Sequence, residues 1–389
     1  MTKPKLTFVV ESGTDVRLVE GLAERFELTI LGRPISNGVI ISQRSMASFE
    51  LVTGPASRWQ FGRFVRRELL TRSPRADLIV VQGYGIAALA SNLAARKTGK
   101  RCTMLVCSPA EEYYLQRKAH PFPDKPFRRR ELAALRAIAR INGKVGQQYC
   151  VLSHHLENTV RAHQTRLPVG VIPVYGVDTS RFHPSSEGKR VLRERVGLPL
   201  EEPVLFFSSR VAPEKDGEAL LKAVLMLRQF GRRMTVLHRS GGHLDFMRLA
   251  REVGVADQVI ATDAVPPGED LARDYQASDI CVQASRAEGL GFSALEALAC
   301  ETPVIASLTG GLKETIVNGV TGFTYPVGDS RALADCIAYN LDHPQEAMDT
   351  AREGRRMVIE RFEAKTVFDA FQKLVASDAS APPVVPSVG

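Results

Sequence analysis

The chain has 389 residues, 44% hydrophobic and 24% charged, with a net charge of +8. That is the balance of a soluble globular protein and more chain than one ordinary core holds, so two domains of similar size are expected. No apolar run approaches the roughly 18 residues that cross a bilayer.

Short apolar runs predict strands and longer periodic ones helices. Leu6 to Val10 reads as a strand, Asp15 to Phe26 as an amphipathic helix, Glu27 to Leu31 and Phe49 to Val52 as two further strands. Ser57 to Leu70 predicts a helix with Phe61, Phe64, Val65 and Leu69 on one face. Asp77 to Val81, Thr103 to Cys107, Tyr149 to Leu152 and Val169 to Pro173 supply buried strands with helices between them. The turn Gly176-Val177-Asp178 and the segment Phe182-His183-Pro184 close this half, and the polar stretch Ser185 to Arg190 reads as the start of a linker. A second series runs through Val204 to Phe207, Met234 to Leu237, Val259 to Ala261, Ile280 to Val282 and Val304 to Ala306. Repeated strand–helix units imply parallel sheets covered on both faces. The expected fold class is therefore α/β, with two tandem Rossmann-like domains over residues 1–184 and 185–365. Residues 366–389 are expected to return to the first domain as a helix and to end, after Ser377, in a disordered tail.

The amino terminus, Met1 to Lys5, passes straight into a strand and lacks a secretory pattern. The six cysteines include no Cys-x-x-Cys pair, and several fall in apolar runs where a thiol packs as a small hydrophobe. A reducing cytoplasm fits this usage.

Charge is unevenly placed. To about Ser186 the chain carries roughly 28 Lys and Arg against roughly 14 Asp and Glu, and the remainder is mildly acidic. Such asymmetry reports either a solvated basic face or an anionic partner: nucleic acid, an acidic substrate or a membrane surface. The basic half lacks aromatics interleaved for base stacking, so nucleic acid is not the expected partner. Two clusters do set basic residues beside aromatics. Arg63, Arg66 and Arg67 lie near Trp59, while Lys118, Lys125, Arg128, Arg129 and Arg130 surround Phe122 and Phe127. That suits peripheral attachment to the inner face of an anionic membrane. A soluble anionic acceptor is the alternative.

The chemistry concentrates in Ser285 to Pro303. Glu288 and Glu296 stand on either side of the turn Gly289-Leu290-Gly291, which opens an apolar helix. The first helical N–H groups, around Phe292 and Ser293, point outward and suit phosphate oxygens. Glu288, ahead of the helix, is placed to accept hydrogen bonds from sugar hydroxyls, and Glu296, one turn in, to reach a ribose. Earlier in the chain, S-S-R-V-A-P-E-K-D follows the strand Val204 to Phe207 and sets Arg210 and Lys215 at the carboxyl edge of a parallel sheet. Such folds bind their ligands at that edge. The plainer reading makes Glu288 a helix cap, Glu296 a solvated polar residue, and Arg210 and Lys215 surface partners of Glu214 or Asp216.

Together with the flanking run D-Y-Q-A-S-D-I-C-V-Q-A-S, Asp274 to Ser285, and the stretch Thr302 to Asp329, these motifs resemble the donor half of the retaining, family-4 glycosyltransferases of the GT-B fold. The resemblance is dense from Pro203 to Asp329. It implies two Rossmann-like domains with an interdomain cleft, and metal-independent transfer of a hexosyl or pentosyl unit from a nucleotide sugar. The acceptor would be a hydroxyl of a lipid-linked molecule, an anionic glycan or a small molecule. No cofactor is implied beyond the nucleotide-sugar co-substrate. Carried over residue by residue, the catalytic set is Glu288, Arg210 and Lys215. The donor would be bound by Gly13, Gly289, Leu290, Gly291, Phe292, Ser293 and Glu296, with Glu288 on its sugar, and the acceptor by Ser12, Thr14, Tyr84, Cys107, Ser108 and Glu111.

Two positions depart from the family pattern. Cys107 stands where relatives present a sugar-contacting histidine, and Pro173-Val174-Tyr175-Gly176 replaces a Pro-Asn-Gly turn. A weaker donor at Cys107 suits a sugar without an ordinary C6 hydroxymethyl group. The adjacent His154 and His155 point in different directions from a helix start, so metal ligation is not expected of them. A sugar-nucleotide epimerase of the same architecture and a non-catalytic binding module remain the rival readings.

Overall fold

The computed structural model describes residues 3–35, 39–41, 45, 47–72, 77–119, 127–265 and 268–377. The expected tail after Ser377, and Phe122 and Lys125 of the second basic cluster, lie outside the described residues. The chain divides into two compact units. The first comprises Met1–Glu111, Arg128–Tyr175 and Lys365–Gly389; the second comprises Glu112–Phe127 and Gly176–Ala364. The division falls at Tyr175, ahead of the residue 184 expected from sequence, and it assigns Glu112–Phe127 to the second unit.

In chain order the first unit holds β1 (Lys5–Val10), α1 (Val16–Arg25), β2 (Glu27–Gly32), β3 (Glu50–Thr53), α2 (Arg58–Arg72), β4 (Leu78–Gln82) and α3 (Ile86–Thr98). It continues with β5 (Arg101–Val106), the start of α4 (Ala110–Ala119), α5 (Arg129–Val145), β6 (Gln148–Val151), α6 (His154–Arg161) and β7 (Val169–Val171). The sheet runs in the order β3-β2-β1-β4-β5-β6-β7 with every pairing parallel. Strands such as Phe8-Val9-Val10 are wholly buried, as both-face coverage by helices requires. The Asp15 carboxylate caps α1 by accepting from the Arg17 backbone N–H at 2.9 Å.

The second unit follows the same plan. It contains α7 (Lys189–Val196), β8 (Val204–Phe207), α8 (Gly217–Gln229), β9 (Thr235–Arg239), α9 (His243–Val253), β10 (Val259–Thr262), α10 (Glu269–Ala277) and β11 (Ile280–Gln283). Then come α11 (Phe292–Ala299), β12 (Val304–Ser307), α12 (Leu312–Thr315), β13 (Phe323–Tyr325), α13 (Ser330–Asp342), α14 (Pro344–Phe362) and α15 (Ala364–Ala376), the last belonging almost wholly to the first unit. Its parallel sheet runs β10-β9-β8-β11-β12-β13. A core of Phe207, Leu220, Val236, Phe246, Val282 and Ile305 fixes the sheet against its helices.

Strand order reverses beside β1 in one unit and beside β8 in the other, where β4 and β11 pair on the far side. Sheets of this kind receive ligands at the carboxyl edge of such a switch point. Beyond shifts of one or two residues at element ends, the structure differs from the sequence reading in several details. The short strand β13 is additional, α7 begins inside the stretch expected to be linker, and Cys107 follows β5 rather than ending it.

Candidate active site

In the second unit the two sequence motifs meet. Arg210 and Lys215 follow β8, and Glu288 follows β11, the strand paired with it. Lys215 Nζ donates to Glu288 Oε2. The same oxygen accepts from Ser285 Oγ at 3.1 Å, and Oε1 accepts from the Gly289 backbone N–H at 3.1 Å. Both side chains of the ion pair are largely buried, 14% exposed for Lys215 and 11% for Glu288. Arg210 is 55% exposed and donates to the buried Glu214, so its guanidinium is anchored at one end and open at the other. The pairing of Arg210 with Glu214 is the one the plainer sequence reading expects, although Glu214 is buried; Lys215 pairs with Glu288 instead, and the buried Asp216 with Arg286 at 2.8 Å.

The loop is shaped by backbone contact. Gly291 opens α11 at φ +96, and a Cβ there would lie 2.4 Å from Leu312 Cδ2. Being glycine, it supplies no side-chain cap to the helix start. Leu290 is buried, and Phe292 and Ser293 are both half-buried. The segment Thr309-Gly310-Gly311 braces the loop. Gly311 N–H donates to Glu288 O at 3.1 Å, Thr309 Oγ1 donates to Arg286 O at 3.1 Å, and a Cβ on Gly310 would fall 2.0 Å from Glu288 O. Sequence reasoning missed this support, although the Gly-Gly pair after β12 is a visible signal of close backbone approach.

Glu296 sits one turn into α11 and is buried, not solvated. Tyr275 Oη donates to its Oε2 at 2.9 Å and lies 3.3 Å from Ser208 Oγ. Burial, then the charge of Glu296, pushes the Tyr275 phenol well above its ordinary range, so it stays a neutral donor.

The remaining candidates belong to the first unit. Gly13 turns the chain out of β1 at φ +83, Ser12 is exposed, and Thr14 is buried with its N–H donated to Ile40 O at 2.9 Å. Tyr84 is buried with its ring 5.4 Å from that of His163. Glu111 accepts from Arg136 Nε at 2.8 Å and contacts His163 Nε2, so its carboxylate already has two partners. Burial holds the His163 imidazole below its usual range against the pull of Glu111, with Arg140 and Arg136 acting in the same direction as burial. The Ser108 carbonyl accepts the Ala110 N–H at 2.9 Å. Cys107, whose thiol burial pushes up to about 12, shares a hydrogen bond with the Tyr175 hydroxyl. The two departures from the family pattern are thus in contact. His154 faces Glu157 across 3.1 Å.

Comparison with known proteins bears on the family and the fold. The family model for glycosyl transferases group 1 matches residues 188–357. The GDP-mannose-dependent alpha-(1-6)-phosphatidylinositol monomannoside mannosyltransferase of Mycolicibacterium smegmatis is 34% identical over 203 residues, covering 49% of this chain and 52% of that protein. The D-inositol 3-phosphate glycosyltransferase of Saccharomonospora viridis is 36% identical over 208 residues, covering 50% and 47%. The chain therefore spans about half the length of the curated relatives it matches. Among solved structures, sucrose-phosphate synthase from Thermosynechococcus elongatus superposes with a TM-score of 0.78 at 21% identity, over 96% of this chain and 98% of that one. Anabaena HepE in complex with UDP-glucose gives a TM-score of 0.75 at 17% identity, over 96% and 99%. At these identities the structures establish the fold alone. The chain thus shares the fold of these structures, and residues 188–357 within its second unit match the glycosyl transferases group 1 model.

Proposed function

We propose that the protein is a retaining glycosyltransferase that moves a sugar from a nucleoside diphosphate to an acceptor hydroxyl, with no metal and no cofactor beyond the nucleotide sugar. One observation supports this reading: Lys215 and Glu288 meet in the loops that follow two paired strands, ahead of a helix opened by Gly291. The Lys215 ammonium has three N–H donors and spends one on Glu288, leaving two for phosphate. Arg210 adds a second cation whose outer face is exposed.

In this mechanism the acceptor binds in the basic first unit and attacks the anomeric carbon on the face that the diphosphate leaves. The departing phosphate takes the acceptor proton. Glu288 orients the sugar and Glu296 holds the ribose. Arg210, Lys215 and the amides at Gly291 and Phe292 offset the charge that grows on the leaving group, which is where preorganised donors act most strongly. Two fixed cations take the place of the divalent ion that other transferases use. The names of the similar proteins mention GDP-mannose and UDP-glucose, which makes these two donors the first to try.

The protein is further proposed to work at the inner surface of a membrane. Among the described residues no helix is long and apolar enough to cross one. Trp59 on α2 is 72% exposed, and Arg63 and Arg66, four and seven positions on, are exposed along the same side of that helix. The test of the transferase reading is incubation with UDP-glucose and GDP-mannose in EDTA, with candidate acceptors, followed by NMR of the anomeric linkage. An α-linked product from an α-linked donor is the expected result. An epimerised donor formed without acceptor, or an inverted product, would replace the reading.

A further inference from the structure

The carboxyl edge of the second sheet carries a row of polar side chains that the mechanism above does not use. In β9, His238 lies opposite Phe207 of β8, and Arg239 lies opposite Thr262 of β10. Ser208 and Arg239 each follow the first of these pairs by one residue, so Ser208, Arg239 and Thr262 stand side by side across three strands. Residues in register on parallel strands face the same side of the sheet. Two contacts identify that side as the one α10 covers. Arg239 Nε lies 3.0 Å from Asp274 Oδ2, and Ser208 Oγ lies 3.3 Å from Tyr275 Oη.

Hydrogen bonding along this row is incomplete. Asp274 is 1% exposed, yet its Oδ2, Arg239 Nε and Thr262 Oγ1 are buried with no hydrogen-bond partner among the described residues. Arg239 and Asp274 pair by charge, out of line for a hydrogen bond. No hydrogen bond from the two terminal nitrogens of Arg239 reaches a described residue, and the side chain is 20% exposed. Buried polar atoms are seldom left so, and each one calls for an explanation.

The place of the row decides the ligand. Strand order is β10-β9-β8-β11, so the edge runs from Glu288 after β11, past Ser208 after β8, to Arg239 and Thr262. Tyr275 links Ser208 to Glu296, the residue proposed to hold the ribose. A nucleotide sugar with its sugar at Glu288 and its ribose at Glu296 lays its base over β9 and β10. The fork of an arginine matches two adjacent acceptors in one plane. Guanine presents such a pair in O6 and N7, whereas adenine sets an amino donor beside N7 and uracil has no acceptor next to O4.

We infer that Arg239 reads the nucleobase of the donor and selects guanine, its terminal nitrogens donating to O6 and N7 while Asp274 holds the guanidinium in place. This rests on the donor-site reading above. The contact lies on the base and not on the diphosphate, so its loss should register only with guanine nucleotides.

Calorimetry with GDP, 7-deaza-GDP, UDP and ADP tests this without relying on turnover. Wild type is expected to bind GDP at least about tenfold more tightly than UDP or ADP, the discrimination that one bidentate pair supplies. It should bind 7-deaza-GDP, which has carbon in place of N7, more weakly than GDP. This comparison is made on wild type and does not depend on any variant folding. Arg239→Met combined with Asp274→Asn leaves no unpaired charge in the buried row. The double variant should bind GDP, 7-deaza-GDP and UDP alike, with its UDP affinity unchanged. Wild type that binds UDP or ADP as tightly as GDP, or GDP no better than 7-deaza-GDP, would overturn the inference and leave the donor-site reading standing. So would equal weakening of every nucleotide in a double variant that melts like wild type. Wild type that binds none of the four would overturn the donor-site reading itself, and this inference with it.

Discussion

Replacing Lys215 with methionine tests whether its pairing with Glu288 holds the site together before any ligand arrives. The substitution nearly keeps the length of the side chain and removes the charge. Glu288 is then left with Ser285 Oγ and the Gly289 N–H, both at 3.1 Å, in a place where its side chain is 11% exposed. Breaking one partner of a buried pair costs about 3–5 kcal/mol, and two surviving neutral donors put this case near the lower figure, about 3 kcal/mol. Glu288→Gln should cost a similar amount by stranding the ammonium. The double variant removes both charges and should return to within about 1 kcal/mol of wild type, a coupling that independent sites do not show. Urea unfolding of the four ligand-free proteins near neutral pH measures the cycle. Because the pair is buried, the losses should persist in about 1 M salt. A single variant within about 0.5 kcal/mol of wild type, or a double variant equal to the sum of the singles, would refute the reasoning.

Gly310→Ala should destabilise by more than about 2 kcal/mol and weaken UDP or GDP binding, since its Cβ would meet Glu288 O at 2.0 Å with φ at +48; melting and calorimetry check both. His238 is buried and donates from Nδ1 to Phe207 O at 3.0 Å, and burial pushes its pKa down from 6.5 to about 4. A lowered folded-state value gives stability that is present above pH 6.5 and lost as pH falls toward 4. Wild type should lose about 3 kcal/mol more than His238→Asn between about pH 7 and pH 4, and parallel losses in urea titrations would exclude the buried imidazole as the cause. Flotation with liposomes of anionic lipid should carry the protein upward at physiological salt and fail for Trp59→Ala combined with Arg63→Glu and Arg66→Glu. Wild type remaining at the bottom at both low and physiological salt would rule out the membrane.

Much of the fold is legible in the sequence. Val204 to Phe207 is a strand with the bounds expected from sequence, because four consecutive apolar residues between polar flanks leave little choice. β13 escapes notice because Phe323-Thr324-Tyr325 is too short to show any period. At the site, the motif residues Arg210, Lys215, Glu288 and Glu296 are visible because their chemistry is local to two loops. What joins them is not. Tyr275 comes from the helix before β11 and the Gly310-Gly311 brace from the loop after β12. Long-range contacts of this kind leave no spacing to recognise. The hydrogen bond between Cys107 and Tyr175 shows the same limit, since each departure is legible alone and their contact is not.

The most direct test of the central claim is a thermal-shift series with UDP-, GDP-, ADP- and dTDP-sugars on wild type, Glu288→Gln and Glu296→Gln. A donor at about 100 times its dissociation constant should stabilise wild type by about 2.7 kcal/mol. The account predicts a clear shift with at least one donor, nearly abolished in Glu296→Gln, where the ribose contact is lost. Glu288→Gln should keep most of the shift while losing turnover. No shift with any donor, or a shift that both glutamine variants retain together with full turnover, would contradict it.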